Sequence, residues 1–250
     1  MSDSNKPKVQ LHEHSEGLDL DTHVWRYLSL DAALVTLNSS SLRFTRLGAF
    51  PDEYEGMEDF GSIAAHRIEA EQFAAQFNEP IMHRNPEITK FLNQRSAYAS
   101  CWSLNPPTDM VMWRSYAIGL SSVAFETTVG KLMNCLLDVP GVSAIGAIRY
   151  KPSQGLPIAN LHFQDKCFEK YDAYAFEREV RLCISLLNEP RRPEQLENYP
   201  DHHSESVNVE FIDALALHPL MPVETQSMVV KVLSTLAPGM HINKPAIAYR

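Results

Sequence analysis

Glu177, Glu179 and Arg181 fall two residues apart in the segment Tyr174–Leu187. Two carboxylates at that spacing can divide acid–base and charge-stabilising work between them. Alternatively, they neutralise the guanidinium and act only as an ion-pair network. From Glu179 onward the segment alternates, with Val180, Leu182, Ile184 and Leu186 on one face and Glu179, Arg181, Cys183 and Ser185 on the other. That period of two predicts a half-buried strand whose three charged side chains project together from its start.

Other elements must position that strand. The aliphatic run Val180–Leu187 belongs in the middle of a sheet, because such a run at an edge invites aggregation. Trp25–Ser29 reads as a first strand, followed by a short amphipathic helix with Leu30, Ala33, Leu34 and Leu37 at helical spacing. Leu42–Thr45, Ser96–Ser103, Ser122–Glu126, Val142–Tyr150 and Val207–Phe211 read as further strands. Phe60–Phe77, Pro86–Gln94, a segment capped by Asp109 through Tyr116, Thr127–Leu137 and Val223–Leu236 read as helices. Strands and helices alternate irregularly, which predicts an α+β fold: a mixed, largely antiparallel sheet with helices packed on it. Residues 1–21 read as a disordered leader and residues 22–250 as one domain, with Glu189–Ser206 an exposed, proline-rich loop.

The bulk chemistry narrows the class. A chain of 250 residues with 44% hydrophobic and 21% charged content is ordinary for a globular protein. No apolar run reaches the roughly 20 residues needed to span a bilayer. Four widely spaced cysteines, Cys101, Cys135, Cys167 and Cys183, read as reduced thiols in a cytoplasmic protein. A formal charge of −9 does not favour nucleic acid as a partner. Phosphate-cradling glycine motifs, zinc-type histidine pairs and nucleophile elbows are missing from the sequence. Histidines in presumed loops carry no ligand spacing, so no metal site is assigned.

Several short motifs together resemble a known family. They are Trp25-Arg26-Tyr27, Leu42-Arg43-Phe44, an acidic loop ending Glu55-Gly56, Ser103, Met112-Trp113 to Tyr116-Ala117, Ile148-Arg149-Tyr150, Lys166, and Phe176-Glu177-Arg178-Glu179-Val180-Arg181-Leu182. Their order resembles the bacterial family known as domain of unknown function 2971, over roughly Trp25 to Tyr249. The acidic loop departs from that family's pattern, and Arg114-Ser115 replaces an expected histidine before Tyr116. The resemblance implies a fold and a set of polar positions, without a settled activity.

The chain is also similar to ADP-ribosyltransferases of the arginine–serine–glutamate type, since Arg26, Ser103 and Glu177-Arg178-Glu179 occur in that order. That similarity implies an enzyme using NAD as its substrate, in a toxin or phage-defence setting, with a small nucleotide as ligand. It places Glu179 beside the developing cation and Glu177 beside the acceptor as the catalytic pair. Arg26 would take a phosphate and Ser103 the ribose, within walls made by Trp25, Tyr27 and Trp102. Two other readings fit the same residues. One is a non-catalytic sensing or interaction domain held by an ion-pair network. The other is a metal-dependent phosphodiesterase or nuclease with Asp52, Glu55, Glu177 and Glu179 as oxygen ligands.

Overall fold

The computed structural model describes residues 9–56, 92–151, 163–186 and 199–245 except 14, 16, 118 and 140, with a few positions between 64 and 76. Among the described residues twelve strands follow in chain order: β1 (Gln10–Leu11), β2 (His23–Leu28), β3 (Ser41–Arg46), β4 (Ala97–Ser103), β5 (Val123–Thr128) and β6 (Val142–Ala147), then β7 (Arg149–Lys151), β8 (Glu169–Tyr171), β9 (Glu179–Ser185), β10 (His202–Ser206), β11 (Ala214–Leu217) and β12 (His241–Asn243). Ten of them form one sheet in the order β1-β6-β9-β4-β2-β5-β11-β12, with β3 on β4 and β10 on β3. Only the β1–β6 and β11–β12 pairs in it are parallel. The expected α+β fold with a mixed, mostly antiparallel sheet is what the chain adopts. No described helix is long and apolar enough to cross a membrane.

β9 sits between β4 and β6, as the aliphatic run requires. Val180, Leu182 and Ile184 enter the main core with Val24, Phe44, Trp102 and Phe125. The strand is not half-buried, however: all seven residues are buried, including Glu179 and Arg181. Its polar face is covered by the turn Phe163–Phe168 and by the two-stranded ribbon β7–β8, and the charges survive there because they are paired. Leu182 is fully buried. Leu182→Ala should therefore cost roughly 2–5 kcal/mol, read from the urea unfolding midpoint, and a cost within error of zero would show that the core collapses around the gap.

Several boundaries move. The helix after β2 runs Leu30–Ser39, and Asp109 caps Met110–Tyr116 by accepting from Val111 N at 2.8 Å. The expected helix Thr127–Leu137 shrinks to Val129–Met133, and within the expected strand Val207–Phe211 only Val207 makes a β-bridge, to Leu136, while Val209–Phe211 is a turn of 3₁₀ helix. Asn208 caps that turn through Glu210 N, so a local side-chain bond outcompetes pairing. The Pro86–Gln94 expectation and most of Phe60–Phe77 lie outside the described residues.

Two segments read as disordered or loop-like pack instead. Gln10–Leu11 pairs with β6, His12 N donates to Ile145 O at 2.8 Å, and Val9, His12, Ser15 and Leu18 are buried. Gly146 permits this approach, since a Cβ there would meet Ser15 Oγ at 2.7 Å and His12 Cβ at 2.8 Å. The end of the expected exposed loop is β10, antiparallel to β3 and anchored by Asp201 on Arg46 at 2.6 Å. Edge pairing of this kind uses backbone groups, so hydrophobic periodicity does not reveal it.

Candidate active site

β4 and β9 run antiparallel with Ser103 opposite Glu179 and Cys101 opposite Arg181, and Trp25 of β2 lies opposite Ser103. Residues paired this way share a sheet face. Trp25, Cys101, Ser103, Glu179 and Arg181 therefore lie on the face away from the main core. Glu177 joins them through a backbone device. Arg178 takes a left-handed φ of 43°, ending the turn Asp172–Glu177 and starting β9. A non-glycine residue in that region is uncommon and clusters at functional sites. Ser103 Oγ holds the turn by donating to Glu177 O at 2.6 Å while accepting from Asn105 N at 3.0 Å.

Arg181 organises the cluster. Its Nε and one terminal nitrogen grip both oxygens of Glu179 at 2.7 and 3.1 Å. The other terminal nitrogen donates to Glu55 Oε1 at 2.6 Å and to Cys167 O at 2.9 Å. The Phe50 ring lies 5.7 Å from the guanidinium carbon. Lys170 Nζ then sits where three carboxylates meet, 2.6 Å from Glu177, 3.3 Å from Glu179 and 3.9 Å from Glu55. Glu179 N donates to Tyr150 Oη at 2.8 Å. The Tyr116 hydroxyl, on an exposed side chain, is influenced by the Glu177 carboxyl.

The two neighbouring glutamates live in opposed environments. Burial favours the neutral form of Glu179, but Arg181 and Lys170 outweigh it and hold the carboxyl down to about 2. Burial dominates at Glu177 and raises its carboxyl above the usual range despite the bonds from Lys170 and Tyr116. Burial and the Glu177 contact push the Tyr116 hydroxyl up as well, and burial followed by Glu179 does the same to the Cys101 thiol. The two carboxyls, two residues apart, are thus shifted in opposite directions by their surroundings.

Of the side chains expected to converge, Ser103, Glu177 and Glu179 do. Ser103 is occupied as the clamp on the Glu177 turn. Tyr27 shares the face, but its hydroxyl donates to Asn105 O and its ring packs edge-on against Trp113. Arg26 and Trp102 leave from the other face. There the guanidinium and the indole N–H both donate to Ser100 Oγ, at 2.7 and 3.0 Å. Arg26 also donates to Arg43 O, in a gap where β2 pairs with β4 only at Ser103 and β3 only at Tyr98 and Ala99. Burial lowers the Arg26 guanidinium to about 10.

The metal reading fares differently. Among the described residues no group of three His, Cys, Asp or Glu is placed to hold a metal ion. The point where Glu55, Glu177 and Glu179 converge is taken by an ammonium, that of Lys170. Sequence reasoning missed Lys170, which stands in no pattern that singles it out, and named Tyr116 only as part of a motif without a role at the site.

No family model matches the chain, and no curated protein matches it. The likeness to domain of unknown function 2971 therefore stays at the level of its motifs. Among solved structures the chain is similar to Thermus sp. 2.9 DarT in complex with carba-NAD+, at 11% identity and a TM-score of 0.39 over 91% of this chain and 97% of that one. It is also similar to Thermus sp. 2.9 DarT in complex with ADP-ribosylated ssDNA, at 11% identity and a TM-score of 0.37 over 96% of this chain and 98% of that one. Likeness at that level leaves the functional reading to the site's own geometry.

Proposed function

We propose that the chain is an ADP-ribosyltransferase-like enzyme that uses NAD as its substrate, with Glu177 and Glu179 as its acting carboxylates. The observation that carries this reading is the placement of two carboxylates at the head of β9, where Lys170 Nζ donates to Glu177 at 2.6 Å and to Glu179 at 3.3 Å, in surroundings that shift the two carboxyls in opposite directions. Breaking the bond between ribose C1′ and the nicotinamide nitrogen sends the electron pair to nicotinamide and leaves a cation on the sugar. Among the described residues, Glu55, Glu177 and Glu179 outnumber Lys170 and Arg181 by one negative charge, which favours that cation. An acceptor hydroxyl or amine then bonds to C1′ and passes its proton to Glu177, whose raised pKa brings it nearer neutral working pH. Ser103 acts by positioning the Glu177 turn rather than by touching the ribose. Arg26, half-buried on the far face, is kept as a support for β4 through its bond to Ser100.

The full burial of Arg181 and the occupation of both Glu179 oxygens support a second reading, a non-catalytic domain held by its ion pairs. Incubating the protein with NAD+ and following nicotinamide by chromatography separates the two. Release above the spontaneous rate supports the enzyme. No release, together with no NAD+-induced rise in melting temperature, leaves the non-catalytic domain as the reading that stands.

A further inference from the structure

The three carboxylates around Lys170 do not share it equally. The ammonium donates to Glu177 Oε2 at 2.6 Å and to Glu179 Oε2 at 3.3 Å, and the Tyr174 ring lies 4.5 Å away. Glu55 Oε2 stands 3.9 Å from the same nitrogen, beyond hydrogen-bond reach. That oxygen is buried and has no hydrogen-bond partner among the described residues, while Arg181 holds Glu55 Oε1 at 2.6 Å.

A buried carboxylate oxygen left without a bond is costly, and in a native fold such a group calls for a reason. Lys170 can satisfy it, because an ammonium carries three donors. A slide of about 1 Å, pivoting on Glu179, brings the 3.9 Å separation down to the roughly 2.9 Å of an N–H···O bond. Each placement bonds two of the three carboxylates, so the charge on Glu177 decides between them.

We propose that Lys170 is a movable counter-ion, a positioning residue that slides from Glu177 to Glu55 Oε2 when Glu177 becomes protonated. The inference rests on the reading of Glu177 as the carboxylate that receives the acceptor's proton. In that step the acceptor's O–H or N–H bond breaks and a Glu177 O–H bond forms. Lys170 keeps its own protons: burial opposes its charge, yet Glu179, Glu177 and Glu55 hold it above the usual lysine value. As Glu177 loses its charge the cation passes to Glu55, so neither a buried anion nor the ammonium is stranded. Besides Lys170 of β8, the groups facing Glu177 are Tyr150 of β7, Tyr116 of the helix Met110–Tyr116 and Glu179 of β9, which is held in turn by Arg181. Cys101 of β4 faces Glu179.

A crystal structure of Glu177→Gln locates the ammonium without any turnover. Glutamine stands in for the protonated carboxyl, so Lys170 Nζ should lie within about 3 Å of Glu55 Oε2. Wild-type crystals held below the Glu177 titration midpoint should show the same shift. A nitrogen still near 3.9 Å from that oxygen in both overturns the proposal, whether or not the protein is an enzyme. The pH profile of nicotinamide release tests how the movement is used. Glu55→Gln, which keeps Lys170 on Glu177, should move the acid limb down by about one pH unit, and Lys170→Met should move it up by about as much, the scale of one hydrogen bond to a charged group. Release with the limb unmoved in both variants overturns the positioning role. Movement in the crystals without any release by wild type supports the counter-ion exchange and removes only the enzyme reading.

Discussion

Arg181→Met is expected to lower stability by roughly 3–5 kcal/mol, the scale seen when one partner of a buried ion pair is removed. The guanidinium is fully buried and makes four hydrogen bonds, to both oxygens of Glu179, to Glu55 and to Cys167 O. Methionine fills comparable volume but strands two buried carboxylates on Lys170 alone. Guanidinium-chloride unfolding measures the loss, and a cost under about 1 kcal/mol would mean that water reaches the carboxylates and Arg181 is not their chief counter-ion. The pH dependence has a definite sign. Glu179 is depressed in the folded state, so its contribution is fully present above its unfolded value of about 4.3. That contribution disappears as pH falls toward about 2. Glu177 acts oppositely, since a raised carboxyl contributes stability that is fully present below its unfolded value and is lost as pH rises through its higher folded value. Wild type should therefore lose more stability than Arg181→Met between neutral pH and pH about 3, because the Arg181-dependent depression of Glu179 is what acid removes.

Glu177→Gln should reduce nicotinamide release by roughly 10²–10³-fold, the scale of losing one oriented electrostatic group. Its melting temperature should stay close to that of wild type. The substitution keeps shape, Lys170 retains Glu179 at 3.3 Å, and Ser103 still clamps the backbone of residue 177. Glu179→Gln is the contrasting variant. It withdraws the carboxylate that both Arg181 and Lys170 hold, so activity and stability should fall together. Steady-state turnover and melting curves on the same preparations check both. Equal turnover in wild type and Glu177→Gln would remove Glu177 from the chemistry.

Much of this was legible in the sequence wherever side-chain periodicity decides structure. The alternation from Glu179 located β9 and its core face, and Asp109 marked the helix Met110–Tyr116. What was not legible has physical causes. β1 and β10 are recruited by backbone pairing at exposed sheet edges, and the burial of Arg181 depends on Glu55, Cys167 and Lys170 arriving from distant parts of the chain. Chain order placed Arg26, Ser103 and Glu179 in an expected sequence of strands, but only strand parity fixes facing. Arg26 stands next to Trp25, which pairs with Ser103, so it leaves from the opposite face. Glu177 reached the cluster through a left-handed Arg178, a conformation that no propensity assigns to arginine.

The division of labour between the two glutamates can be measured directly by carboxyl ¹³C NMR titration of glutamate-labelled protein, with Glu177→Gln and Glu179→Gln spectra supplying the assignments. The Glu179 resonance should stay ionised down to about 2, while that of Glu177 titrates above the usual glutamate range. Two resonances titrating together near about 4.3, the value of a solvated glutamate, would contradict a site built on one fixed anion and one exchangeable proton.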